Sequence, residues 1–117
     1  MYSKTTNGVT VTVTPYFLDE QSSPQESHYV WAYQVNIMNS SSTTMKLNHR
    51  NWVIIDANGK IINVQGDGVV GEFPTLKPGE SFEYTSGTPL KTTNGIMQGF
   101  YLMSQNNGEQ LKIDIPT

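Results

Sequence analysis

Gly8-Val9-Thr10-Val11-Thr12-Val13-Thr14 places valine and threonine on strictly alternating positions. A strand turns successive side chains to opposite faces, so this period of two is the pattern of a half-buried β-strand and of nothing helical. His28 to Met38 repeats it with larger side chains. Tyr29, Trp31, Tyr33, Val35 and Ile37 fall on one face, and His28, Val30, Ala32, Gln34 and Asn36 on the other. Five bulky residues at that spacing form the inner wall of a sheet. No stretch carries an amphipathic period of 3.6.

The remaining segments fit the same architecture. Pro15 is expected to end the regular pairing of the first strand, with Tyr16-Phe17-Leu18 as an apolar cluster behind it. Thr43–Leu47 and Arg50–Ile55 read as two strands, the second presenting Trp52 and Ile54 on one side. Asp56-Ala57-Asn58-Gly59 reads as a hairpin, with Asn-Gly favouring a primed turn, and leads into Lys60–Val64. Leu76-Lys77-Pro78-Gly79-Glu80 is a further turn, releasing the chain into Ser81–Thr85. Gly95 to Met103 and Gln110 to Ile115 complete the set, joined at Asn107-Gly108. Seven or eight short strands of this kind cannot each bury a face alone. They predict one all-β domain over residues 1–117, two antiparallel sheets sharing a core that buries Trp31, Tyr33 and Trp52, with helix confined to a turn or two.

Val64-Gln65-Gly66-Asp67-Gly68-Val69-Val70-Gly71-Glu72 contains a complete G-x-G-x-x-G. In a dinucleotide-binding fold that pattern works because a helix follows it and aims its N–H groups at a pyrophosphate. Here Pro74 follows within three residues and Pro78-Gly79 occupies the would-be helix interior. The glycines are therefore read as positions where a Cβ would clash or where the backbone needs positive φ. Gly66, Asp67, Gly68, Val69, Val70, Gly71 and Glu72 remain the candidate ligand- or partner-binding loop. A small ligand there, pyrophosphate or nucleotide or a divalent cation on the nearby Asp67, Glu72, Glu80 and Glu83, is the alternative function. A solvated acidic rim is the leading reading of those carboxylates. Arg50, the only arginine, is a candidate structural brace or anion contact, since its planar fork suits fixed pairing with carbonyls or carboxylates.

Other chemistries find little footing. There is no cysteine, so disulfides, thiolate metal sites and cysteine nucleophiles are excluded. The two histidines, His28 and His49, are too few for a metal site on their own, and His28 reads as a surface residue. No nucleophile elbow and no Ser, His and Asp arrangement suggests a triad. Neither a catalytic residue nor a cofactor is expected. Seven Lys and Arg against ten Asp and Glu give a net charge of −3, and the cations are scattered singly, which argues against nucleic acid. No apolar run is long enough to cross a membrane as a helix, and a cytoplasmic protein is the simplest expectation.

The chain resembles the ApaG family in order and spacing from about Val9 to Pro116. The residues that carry this are Tyr29-Val30-Trp31-Ala32-Tyr33, Arg50-Asn51-Trp52-Val53-Ile54, the glycine stretch, Leu76-Lys77-Pro78-Gly79-Glu80, Phe82–Gly87, Gly95–Tyr101 and Ile113-Asp114-Ile115-Pro116. Trp31 stands where the family often has Phe, and His49 is unusual before the arginine. Relatives usually continue past the position of Thr117 in a short apolar tail, which implies a terminal strand cut short here. The resemblance implies an immunoglobulin- or fibronectin type III-like β-sandwich and a bacterial cytoplasmic protein without established catalytic activity. It also implies a protein-interaction role, as for the same domain in eukaryotic F-box and polymerase-delta-interacting proteins. A setting of cobalt and magnesium resistance, beside a diadenosine tetraphosphate hydrolase gene, comes from the same source. A protein partner bound without catalysis is the leading expectation. Its surface is expected among Tyr16, Phe17, Leu18, Val69, Val70 and Phe73.

Overall fold

The computed structural model describes residues 2–18, 22–26, 29–69, 71–90, 92, 95–105 and 108–116. His28 and Val70 lie outside them. Among the described residues the chain is almost entirely strand, and the one helical piece is a 3-10 turn at Pro24–Glu26.

Two antiparallel sheets face each other. The first has the order β1 (Tyr2–Thr6), β2 (Val9–Phe17), β3 (Tyr29–Asn39), β7 (Ser81–Leu90). The second has the order β5 (Ile61–Asp67), β4 (Met45–Asp56), β8 (Gly95–Gln105), β9 (Gln110–Ile115), and the short β6 (Thr75–Leu76) pairs with the start of β4. The alternation read from sequence is the alternation of burial. Val9, Val11 and Val13 point inward from β2, and Tyr33, Val35 and Ile37 from β3, against Trp52, Tyr101, Met103 and Ile113 of the other sheet. Across the two sheets Tyr33 stacks on Trp52, ring centroids 5.3 Å apart. Tyr101 meets the same indole edge-on at 5.9 Å.

Four expectations need correction, and one strand has to be added. β1 was not foreseen: Tyr2–Thr6 is mostly exposed and has no apolar face, yet it pairs with β2 along its whole length. The primed-turn backbone falls at Asn7 and Gly8, with φ of 51° and 80°, which join β1 to β2. The Asp56–Lys60 connection is a hairpin of another kind. Only Gly59 has positive φ there, and the buried Asp56 carboxylate accepts the N–H groups of Asn58 and Lys60, each at 2.9 Å.

Pro15 does not end β2. Leu18 N–H donates to the Val30 carbonyl at 2.9 Å, and alternation from that bond turns Pro15 away from β3. β1 begins opposite Val13, so no partner asks Pro15 for the N–H it lacks. The segments at Thr43–Leu47 and Arg50–Ile55 are one strand, β4, whose register shifts between Leu47 and His49. That bulge leaves Asn48 without a register partner on β8 and keeps Met45, Leu47, Trp52 and Ile54 all facing inward.

Trp31, the fourth, is half-buried rather than enclosed, because the sheets part at its end of the sandwich. Trp52→Ala is therefore expected to cost about 3–5 kcal/mol, and Trp31→Ala about half as much. Urea unfolding of the two variants checks the order, and an equal or larger loss at Trp31 would contradict it.

Candidate functional site

The glycine stretch is built around Arg50. Arg50 pairs with Tyr101 on one side and Gly66 on the other, so all three share the inner face of their sheet. The guanidinium lies across Gly66: a Cβ there would sit 2.9 Å from Nη2. Nη1 reaches past it to donate to the Gly68 carbonyl at 2.8 Å. A cation directed into the gap between two sheets is thus tied to the backbone of the loop, the geometry of a brace.

The other glycines answer to the turn itself. Gly68 has φ of 64°, and a Cβ on it would sit 2.1 Å from the Glu72 carbonyl oxygen. Gly71 has φ of 79° with open space around it. Val69 and Glu72 exchange both main-chain hydrogen bonds at 2.9 and 2.8 Å, and Gly68 N–H donates to the Asn48 carbonyl at 2.9 Å. Three donors that an anion would require are therefore spent within the protein. The chain leaves the loop into β6 and forms no helix. Val69 is fully buried, which removes it from any surface role, and Leu18 is half-buried. Asp67 points outward beside His49, Nδ1 to Oδ1 3.5 Å. Among the described residues no three His, Asp or Glu side chains group to hold a metal ion. Gly68→Ala is expected to cost at least about 2 kcal/mol and Gly71→Ala about 1 kcal/mol, without ligand. Thermal unfolding with and without millimolar ATP or pyrophosphate checks this. Nucleotide stabilisation of the wild type, with unchanged melting of the variants, would reverse it.

Beside Arg50 the hydroxyls of Tyr84 and Tyr101 are hydrogen-bonded at 2.5 Å. Burial pushes the ionisation of both phenols well above their ordinary value of 10.0, while Arg50 opposes it weakly. The unfolded chain releases these protons near pH 10 and the folded chain keeps them. Their contribution to stability is complete below that pH and is lost above it, by about 1.4 kcal/mol per pH unit per phenol. Tyr84→Phe with Tyr101→Phe should flatten the alkaline fall in unfolding free energy. An unchanged slope would place the sensitivity elsewhere.

A second feature lies at the far end of the sandwich, where the sequence pointed to Tyr16 and Phe17 but not to the cavity near them. Where the sheets part, an apolar groove of about 440 Å³ opens, lined by Val13, Trp31, Tyr33, Ile54, Leu90 and Met97 among others. Phe17 rests on Trp31 with centroids 5.2 Å apart. Tyr16 and Phe17 are exposed nearby, together with Tyr2 and Ile96 on the lining itself. Among the described residues the buried Trp31 Nε1–H has no hydrogen-bond partner. The available signal was the run Pro15-Tyr16-Phe17, three consecutive residues of which two are large aromatics.

Comparison with known proteins agrees with the resemblance seen in the sequence. The model of the ApaG domain family matches residues 19–105. Protein ApaG of Paramagnetospirillum magneticum is 54% identical over 116 residues, 99% of this chain and 89% of that protein. Protein ApaG of Brucella anthropi is 51% identical over the same shares. A crystal structure described as a putative ApaA protein from Bordetella pertussis superposes with a TM-score of 0.90 at 45% identity, covering 92% of this chain and 87% of that one.

Proposed function

The chain belongs to the ApaG domain family, and we propose that it is a non-catalytic binding module that recognises a protein partner. The observation that carries this is the uncharged groove with its exposed aromatic rim. Tyr2, Tyr16, Phe17 and Ile96 are 54%, 49%, 39% and 54% exposed around one end of the sandwich. Apolar side chains gathered at one place on a surface are a recognised mark of an interaction site. Phe73, 49% exposed at the opposite end, instead lies under the Lys46 ammonium at 5.8 Å and is a single residue.

The rival reading, pyrophosphate, nucleotide or a divalent cation at Gly66–Glu72, has less support, since the loop's donors are turned inward and its exposed side chains are acidic. On the family resemblance we also read the strand order as immunoglobulin- or fibronectin type III-like. The same resemblance supports a cytoplasmic setting connected with cobalt and magnesium resistance. Among the described residues no helix is long and apolar enough to cross a membrane.

Affinity capture from a lysate of its own cells tests the reading, using wild type, Phe17→Asp and Phe73→Asp. One protein should be retained in saturable fashion by wild type and Phe73→Asp and be largely lost with Phe17→Asp. Retention of no protein, alongside saturable calorimetric binding of ATP, pyrophosphate or a divalent cation, would reverse the ranking.

A further inference from the structure

The two outer faces of the sandwich are unlike. The middle of the first sheet turns the rows Thr12–Asn36–Glu83 and Thr14–Gln34–Thr85 outward, the polar surface expected of an antiparallel sheet in water. The second sheet turns Val53, Ile55, Ile61, Ile96, Phe100 and Leu102 outward, in alternation with the buried Trp52, Ile54, Tyr101 and Met103. Among the described residues Ile61 is the most exposed large apolar side chain, at 59%. Apolar residues gathered on one face in this way mark a surface that another molecule covers.

The strand register lays this face out in rows. Ile61, Ile55 and Ile96 stand side by side towards one end. Towards the other, the row running from β5 to β9 is Asp67, His49, Leu102 and Lys112. Its acid and its base therefore stand on opposite outer strands of the sheet. Asp67 touches only the imidazole of His49 beside it, and the Lys112 ammonium lies over the Phe100 ring, 4.6 Å from its centroid. Asp114, next to that row on β9, has its own cation in Lys4 at 3.6 Å.

We propose that a second copy of the chain covers this face, as a homodimer whose two-fold axis runs along the strands between β4 and β8. That axis lays β4 on the partner's β8 and β5 on the partner's β9, the aligned packing of two sheets. Asp67 then faces the partner's Lys112, and Lys112 faces the partner's Asp67. The isoleucine rows of the two copies meet each other. An axis running across the strands would instead set Asp67 against the partner's isoleucines, covering a charge with no counter-charge. The face thus carries both halves of its own complement, which is what selects a second copy over an unrelated protein. The inference is independent of the protein-binding reading of the groove and uses no sheet edge.

Sedimentation equilibrium of the full chain tests this on wild type, Asp67→Lys, Lys112→Asp, the double variant and Ile61→Asp, with thermal unfolding to confirm that each folds. Wild type should dimerise reversibly with a Kd of about 100 µM or tighter. Each single charge reversal sets like charges together at both symmetry-related contacts and should weaken the dimer at least about tenfold. The double variant exchanges the two signs and should return to within about threefold of wild type. Ile61→Asp, a charge among the facing isoleucines, should weaken it at least about tenfold. A wild type that stays monomeric at about 500 µM overturns the proposal. So does a dimer indifferent to the single reversals, or one that the folded double variant fails to restore. A dimer kept by Ile61→Asp and lost with Phe17→Asp places the contact at the groove and overturns the assignment to this face.

Discussion

The stack of Tyr33 on Trp52 is the contact on which the two-sheet arrangement rests. Each sheet alone is an antiparallel ladder with one apolar face, and such a face is stable only against another. Tyr33 and Trp52 supply the largest inward surfaces of β3 and β4, and Tyr101 fixes the indole from its edge. Large aromatics at offset or edge-on distance add a directional term to the area they bury. That term gives the two sheets a register in which the smaller valines and isoleucines then interdigitate. The Tyr101 ring also carries its hydroxyl to Tyr84 on β7, so the same cluster ties the free edge of the first sheet to the centre of the second.

Arg50 shows how one inward charge shapes its surroundings. It follows the bulge at Asn48 and so falls in phase with Trp52 and Ile54. A guanidinium there needs acceptors and room, since a buried cation without hydrogen bonds is strongly unfavourable. The Gly68 carbonyl supplies the acceptor and the missing side chain of Gly66 supplies the room. Gly66 thereby has a reason that involves no phosphate, and Gly68 has its own in its positive φ and the nearby Glu72 carbonyl.

Reading the sequence worked where the period was strong and failed where the reason lay outside the strand concerned. Val9–Val13 and Tyr29–Ile37 were legible because their large apolar residues all fall on one face, buried throughout the first and from Tyr33 onward in the second. Tyr2–Thr6 was not, because β1 is held by main-chain bonds and by threonine and serine pairs such as Ser3–Thr12 on an exposed face. The dipeptide Asn7-Gly8 was the available sign of its hairpin. Arg50 shares the parity of Trp52 and Ile54, so its inward direction was readable, but its acceptor lies eighteen residues on. The exposure of Trp31 was not readable at all. Its own strand continues the inner wall, and its partial exposure depends on how the two sheets lie at that end.

The two ends of this 52 Å molecule differ in how completely their polar groups are satisfied. At one end Asn39 is fully buried and spends its whole side chain. Its amide donates to the Thr43 and Leu76 carbonyls, and its oxygen accepts from Ser41. Its main chain locks the Lys77–Glu80 turn as well. The glycine loop, closed by its own hydrogen bonds, belongs to this sealed end. At the other end the Trp31 Nε1–H is buried without a partner among the described residues. Buried donors are seldom left unpaired when the chain can avoid it. The glycine motif that first attracts the eye thus lies at the end whose polar groups are satisfied within the protein, and the apolar groove lies at the other.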